Sequence, residues 1–187
     1  KAEPAYVAAD LMSQAEHDML ARSILVCDSQ DIIDQVEIEL DKQVKEMSRR
    51  DIIIKSLRDH GALILADDLR EACQVANAIA PEHLELMVEN PFAWLHRIKN
   101  AGAIFMGKYT PEPAGDYYAG PNHILPTGGT ARFYSPVTVD TFRKASSLIY
   151  YSPQGLYEDG DDIIKLANVE GLTAHANSVR IRKGQKG

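Results

Sequence analysis

Residues 61–86, GALILADDLREACQVANAIAPEHLEL, decide the fold. Ala62–Ala66 is a short apolar run bounded by a glycine and two aspartates, the pattern of a buried strand. Asp68 and Glu71 stand three apart at the head of an apolar-periodic segment, a capping box that starts a helix over Leu69–Ala80. Pro81 cannot continue that helix and ends it. Leu84–Met87 then reads as the next strand.

The same alternation extends to both sides. Upstream, Ser23–Cys27 is a short apolar strand ending at Asp28-Ser29, which can cap a helix. Ile33, Val36, Leu40, Val44 and Met47 follow at steps of 3, 4, 4 and 3, the stripe of one long amphipathic helix. A further helical piece over Ile52–Leu57 stops at Gly61. Downstream, Phe92–Asn100 reads as a short helix and Ala103–Met106 as a strand. At the amino end, Pro4 to about Asp18 reads as a helix, with proline in its first turn. Alternation over Ser23–Met106 points to a three-layer, mainly parallel α/β sheet with few strands: a partial Rossmann-like, incompletely doubly wound sheet.

Tyr109–Tyr134 is rich in proline and glycine and reads as one long loop. Beyond it, Val139–Tyr151, Leu156–Ala167 and roughly Leu172–Arg182 read as helical pieces without strands between them. The expected organisation is an α/β half-domain over 1–134 and a helical C-terminal tail over 135–187, which can serve as a dimerisation arm.

Composition narrows the function. The chain has 187 residues, 45% hydrophobic and 25% charged, values of an ordinary globular protein. Its net charge of −7 disfavours a nucleic-acid partner, and no apolar run reaches membrane-spanning length. Cys27 and Cys73 sit in apolar segments and read as reduced core residues, as in a cytoplasmic or organellar protein. The dinucleotide fingerprint, the phosphate-binding loop, the H-E-x-x-H pair and the nucleophile elbow are all missing from these residues.

Polar residues that can carry chemistry fall in four places. Gln14 and His17 stand at i, i+3, a spacing that lets two side chains share a cation, although such a pair is ordinarily a surface feature. Pro81-Glu82-His83 sets a carboxylate beside an imidazole, two proton acceptors of different intrinsic pKa. On adjacency alone, the plainer reading is a helix-ending proline with two solvated neighbours. GDYYAGPNHILPT, residues 115–127, holds Asp116, Asn122 and His123 on a proline-stiffened loop after a strand. Ligands of open α/β sheets gather beyond the carboxyl ends of strands, and here functional and structural readings stand even. Glu170 and His175 flank Gly171 between two helical pieces and by themselves are ordinary polar residues. His60 reads as a helix C-terminal residue and His96 as a surface position.

Taken in order, LMSQAEH (11–17), APEHLEL (80–86), AGAIFMG with TPEPAGDYYAGPNHILPTGG (101–129) and EGLTAHANSVRIR (170–182) resemble the C-terminal half of histidinol dehydrogenase over almost the whole chain. The resemblance implies a zinc-dependent homodimer that oxidises L-histidinol to L-histidine through histidinaldehyde, reducing two NAD molecules, in the last step of histidine biosynthesis. Residue by residue, it implies that Gln14, His17, Asp116 and His175 are zinc ligands. It makes Glu82 and His83 the proton acceptors. It places Gln14, His17, His83, Asp116, Glu170 and His175 around the substrate, with His123 a further substrate-side candidate. His175 is expected to arrive from the other subunit. Family members are much longer, so the chain is expected to be a C-terminal fragment, inactive as a dehydrogenase by itself. The NAD-contacting residues and one substrate serine are expected outside it. A cytoplasmic setting, or the plastid stroma of a plant, follows. Two other readings stay open: another zinc-dependent enzyme such as a hydrolase, and a non-catalytic dimerisation or binding domain.

Overall fold

The computed structural model describes residues 2–184. The chain divides into two compact units, Lys1–Thr141 and Phe142–Gly187. In the first, α1 (Pro4–Ala15), α2 (Gln30–Gln43) and α3 (Arg50–His60) pack beside a parallel pair, β1 (Ile24–Cys27) and β2 (Ala62–Leu65). The helix α4 (Leu69–Ile79) leads to a second parallel pair, β3 (His83–Leu86) and β4 (Ala103–Met106), separated by the short helix α5 (Pro91–Trp94). A further short helix, α6 (Glu112–Tyr117), follows β4. The parallel alternation matches the expected class. The strands form two separate two-stranded sheets among the described residues, in place of one continuous sheet.

The core follows the apolar stripes. Val7 and Ala8 of α1 pack with Ile32 and Val36 of α2, and Leu25, Cys27 and Met87 close over them. Met12 and Ala15 pack with Ile53 of α3, backed by Leu40, Val44 and Leu57. Two buried hydroxyls lie in this region and both are satisfied. Ser23 donates to the Leu11 carbonyl at 2.8 Å and Ser56 to the Ala21 carbonyl at 2.9 Å.

Several element ends differ from expectation. The stripe through Met47 predicts one long helix, but α2 ends at Gln43 and tightens into a 3₁₀ turn over Val44–Glu46. Val44 stays on the core, whereas Met47 turns to an extended backbone. The first helix ends at Ala15, short of Asp18, because the Asp18 carboxylate accepts the Leu20 N–H and begins a turn of its own. At α4, Asp68 accepts the Arg70 and Glu71 N–H groups at 2.7 and 2.9 Å, as a capping residue should. The Glu71 carboxylate reaches one residue past the box and accepts the Asp67 N–H. Asn77 then ties α4 to the turn before β4, donating to the Arg97 carbonyl and accepting the Lys99 and Asn100 N–H groups.

The second unit holds α7 (Pro153–Val169) and α8 (Thr173–Gly184), which pack on each other across Glu170-Gly171-Leu172. Gly160 permits the approach: a Cβ there would lie 2.5 Å from Lys183 Cδ and 3.3 Å from Val179 Cγ1. Val139–Tyr151, read as a helix, is not one. A single 3₁₀ turn covers Val139–Phe142, and residues 143–152 have no regular structure.

Candidate metal and acid–base site

The site is built by α6 lying on a face of the β3–β4 pair. Register pairs His83 with Ala103 and Glu85 with Phe105, so alternation puts His83 and Glu85 on the same face of β3. On that side the His83 ring lies 5.9 Å from the Phe105 ring. Residues 109–134, read as one loop, contain α6, and two features make a helix of so unpromising a sequence. Pro113 sits in the first turn, where its missing N–H costs nothing. The Glu112 N–H donates at 3.0 Å to Glu85 Oε1, so a carboxyl on the strand caps the helix.

Gly115 sets how closely α6 approaches. A Cβ there would lie 2.6 Å from Phe105 Cε1, so only a glycine lets the helix rest on the ring. Glu112 and Asp116, at i, i+4, then share one helical face. Glu112 Oε1 comes within 3.8 Å of His83 Nε2. One ligand atom from each of His83, Glu112 and Asp116 lies within 4.8 Å of the others, a grouping that can hold a metal ion. His83 Nε2 is buried and has no hydrogen-bond partner.

The acids around this point are crowded. Burial first, then a hydrogen bond with Asp116 and the charges of Asp116, Glu82 and Asp10, push the Glu112 carboxyl up to about 7. Burial and a hydrogen bond with Asp10 push Glu85 up to about 8. Asp10 is itself raised by burial, against the lowering effect of that hydrogen bond. Neighbouring carboxyls that share protons and an imidazole nitrogen without a partner fit a positively charged guest. A cation at the His83–Glu112–Asp116 point would relieve both, and a mixed N/O donor set is one that zinc accepts.

Of the residues singled out in the sequence, His83 and Asp116 are brought together, and Glu82 lies close enough for its charge to raise Glu112. Gln14 is half-buried in the last turn of α1. His17 lies two residues past the helix end and is exposed, though its N–H still bonds the Gln14 carbonyl and keeps the turn. His123 is exposed, in a stretch clipped to residue 137: Asn122 donates to the Val137 carbonyl, and the Val137 N–H returns to the Ile124 carbonyl. Glu170 caps the end of α7 and His175 lies in the first turn of α8, both exposed and both in the second unit. His60 ends α3 and His96 is exposed, as read.

Glu112, Glu85 and Asp10 were not singled out, although each carried a signal. Glu112 is one helical turn before Asp116, Glu85 is one strand repeat after His83, and Asp10 is one helical turn before Gln14. The position of the cluster also differs from expectation. It lies over the face of the sheet at the first residue of β3, not beyond the carboxyl ends of the strands.

The histidinol dehydrogenase family model matches residues 1–183. A histidinol dehydrogenase of Caldanaerobacter subterraneus subsp. tengcongensis is 56% identical over 181 residues, covering 97% of this chain and 42% of the relative. One from Geobacter sulfurreducens is 57% identical over 179 residues, covering 96% and 42%. The crystal structure of histidinol dehydrogenase from Elizabethkingia anophelis superposes with a TM-score of 0.89 at 37% identity, over 97% of this chain and 42% of that one. The chain thus spans less than half the length of the relatives it matches.

Proposed function

Because this chain belongs to the histidinol dehydrogenase family, we propose that it supplies the metal-binding and proton-accepting part of a site that oxidises L-histidinol to L-histidine through histidinaldehyde in the cytoplasm. One observation carries the reading. His83 and Asp116, distant in sequence, converge with Glu112 on one point, and the buried His83 nitrogen there lacks a partner.

Of the three grouped residues we assign Asp116 to zinc, together with Gln14, His17 and His175, and keep His83 beside the metal as a proton acceptor instead of a ligand. When bound, zinc would orient the substrate's amine and imidazole and polarise its hydroxyl. NAD accepts the hydride in each of the two oxidations and is not assigned to any residue of this chain. Each oxidation also releases a proton. Glu82 and His83 stand adjacent where β3 begins and are the acceptors. Between them they take the hydroxyl proton as alcohol becomes aldehyde and a proton from the water that adds to the aldehyde. Glu112 and Phe105 flank the imidazole and restrict its motion. Glu170, His175 and the exposed His123 are assigned to the substrate side.

His175 and Glu170 reach the site from a second copy of the chain in a homodimer. Two features support this. The α7–α8 unit has little core of its own, with Gly160 and Ala176 its buried residues in these helices. The segment before it leaves apolar side chains uncovered, among them Leu148 at 97% and Tyr150 at 84% exposure. A partner subunit would bury them.

The test is Asp116→Asn in a full-length subunit carrying this sequence. The amide keeps the volume but removes the charge that attracts a metal. Loss of bound zinc and of histidinol-dependent NADH formation, with unchanged far-ultraviolet dichroism, is the expected result. Parent-like zinc content and turnover would refute the assignment.

A further inference from the structure

Just before Glu82 and His83 the chain is held in an uncommon backbone conformation. Ala80, fully buried at the end of α4, has φ 52° and ψ 63°, and among the described residues it alone, apart from glycines, has a positive φ. A left-handed alanine persists only where its surroundings hold it there. The Ala80 N–H closes the last turn on the Ala76 carbonyl at 2.9 Å. The carbonyls after Ala76 lie past that turn and need partners from elsewhere. Asn100 Nδ2 donates to the Asn77 carbonyl at 3.0 Å, and Arg132 Nη2 donates to the Ala78 carbonyl.

Arg132 comes from 54 residues further along the chain. It ends the stretch LPTGGTAR, residues 125–132. Its other terminal nitrogen, Nη1, donates to the Gly129 carbonyl at 2.7 Å. The local sequence makes room for this fork. Gly129 turns the chain at φ 81°, and a Cβ there would lie 2.5 Å from Arg132 Nη1. The Thr130 N–H and hydroxyl both donate to the Thr127 carbonyl, at 3.1 and 2.7 Å, and fix the turn. A cation on the last carbonyls of a helix also meets the negative end of its dipole. The same loop is pinned a second time at Pro126, which is buried. A Cβ on Gly102 would lie 3.1 Å from Pro126 Cδ and 2.6 Å from the Glu82 carbonyl oxygen. The Gly102 and Ala103 N–H groups donate to the Pro81 and Glu82 carbonyls at 3.0 and 2.8 Å. The loop therefore braces the Pro81-Glu82-His83 segment from behind through Arg132 and from beside through Pro126.

We propose that Arg132 is a positioning residue for the proton acceptors: its guanidinium fastens the 125–132 loop to the end of α4, keeps the Ala80 turn closed and so holds Glu82 and His83 in place. This rests on the acid–base assignment above. The metal and substrate sides do not depend on this tie. Asp116 stands on α6, which is held by Glu85 and Phe105, and His123 lies in the clip between Asn122 and Val137. Loss of the guanidinium therefore slows proton transfer and leaves metal and substrate binding in place. A lysine keeps the charge but loses the planar fork that spans two carbonyls.

The experiment uses full-length protein carrying this sequence. The variants are Arg132→Ala, Gly129→Ala, the two combined and, as the acid–base control, Glu82→Gln. Steady-state kcat and KM for histidinol, zinc affinity against a chromophoric chelator, and hydrogen exchange at the Gly102 and Ala103 amides are measured for each. A misplacement of about 1 Å can cost about 10²-fold in rate, so Arg132→Ala is expected to lose up to about 10²-fold in kcat. Its KM and zinc affinity should stay parent-like, and both amides should exchange faster. Gly129→Ala, whose methyl takes the space of Nη1, is expected to do the same, and the combined variant to be no slower than Arg132→Ala. Parent-like kcat in Arg132→Ala, even with a lowered thermal midpoint, overturns the positioning role and leaves the acid–base assignment standing, provided Glu82→Gln has lost turnover. Parent-like exchange, a loss confined to KM, or losses of kcat that multiply in the combined variant overturn it as well. If Glu82→Gln turns over like the parent, both fall. Should Arg132→Ala fail to fold, Arg132→Lys takes its place with the same expected direction, and parent-like kcat there overturns the role.

Discussion

Gly115→Ala is the smallest change that moves the site without removing any of its groups. The added methyl would lie 2.6 Å from Phe105 Cε1 and 3.2 Å from Cζ, against the roughly 3.5–4.0 Å of an ordinary carbon contact. Something must give by about 1 Å. Phe105 is 7% exposed, faces the His83 ring and has little room to swing. The yielding element is α6, which carries Glu112 and Asp116 away from His83. Overpacking of this kind costs about 1–3 kcal/mol. Alanine returns up to about 1 kcal/mol through its better helix propensity, so the net loss of stability is on the order of 1–2 kcal/mol. The effect on chemistry is larger, since a 1 Å misplacement can cost about 10²-fold in rate. Zinc titration and histidinol-dependent NADH formation, measured beside thermal unfolding, give the two magnitudes. A Gly115→Ala protein as stable as the parent, with parent-like zinc affinity and turnover, would show that α6 does not rest on Phe105 as described.

Three further outcomes follow from the same geometry. Glu82→Gln keeps the shape of the side chain but cannot accept a proton, so turnover should fall about 10²–10⁴-fold with zinc and histidinol binding retained; equal turnover in steady-state assays would remove Glu82 from the role. Glu85, raised to about 8 in the folded protein, favours folding most where it is protonated in both states. Its contribution is therefore full below about pH 4.5 and declines as pH rises toward 8, and the thermal midpoint of metal-free protein should fall across that window more steeply than in Glu85→Gln. Ser56→Ala removes the buried hydroxyl that bonds the partly buried Ala21 carbonyl and should cost about 1–3 kcal/mol in denaturant unfolding, with little change in zinc affinity.

The strands were legible because each is a short apolar run bounded by residues that favour turns. The capped start of α4 was legible because Asp68 and Glu71 are spaced for it. The helix α6 was not, because two prolines and a glycine within TPEPAGDY outweigh any propensity argument. What holds it is a carboxyl from β3 and the ring of Phe105, both far away in sequence. With α6 hidden, the pairing of Glu112 with Asp116 was hidden as well. The opposite error occurred at Val139–Tyr151. Its apolar residues suggest a helical face, yet Val139, Phe142, Leu148 and Ile149 remain exposed, and a stripe with nothing to pack against does not fold into a helix. Adjacency put His83 among the candidates and the proline-stiffened loop put Asp116 there, but the plainer reading led for the first and stood even for the second, and only the family resemblance gave them roles. Their convergence became visible only once β3, β4 and α6 were placed.

The central claim is that the cluster on β3 and α6 forms part of an active site completed by His175 of a second copy. Mixed dimers test it most directly. Full-length His175→Asn and Asp116→Asn subunits, each inactive as a homodimer, are combined and assayed for zinc content and for NADH formation with histidinol. A shared site leaves one of the two sites in each mixed dimer with every ligand intact, so zinc binding and activity should return to about half of the parent level. Mixed dimers with no more zinc or activity than either homodimer would show that each subunit builds its site alone.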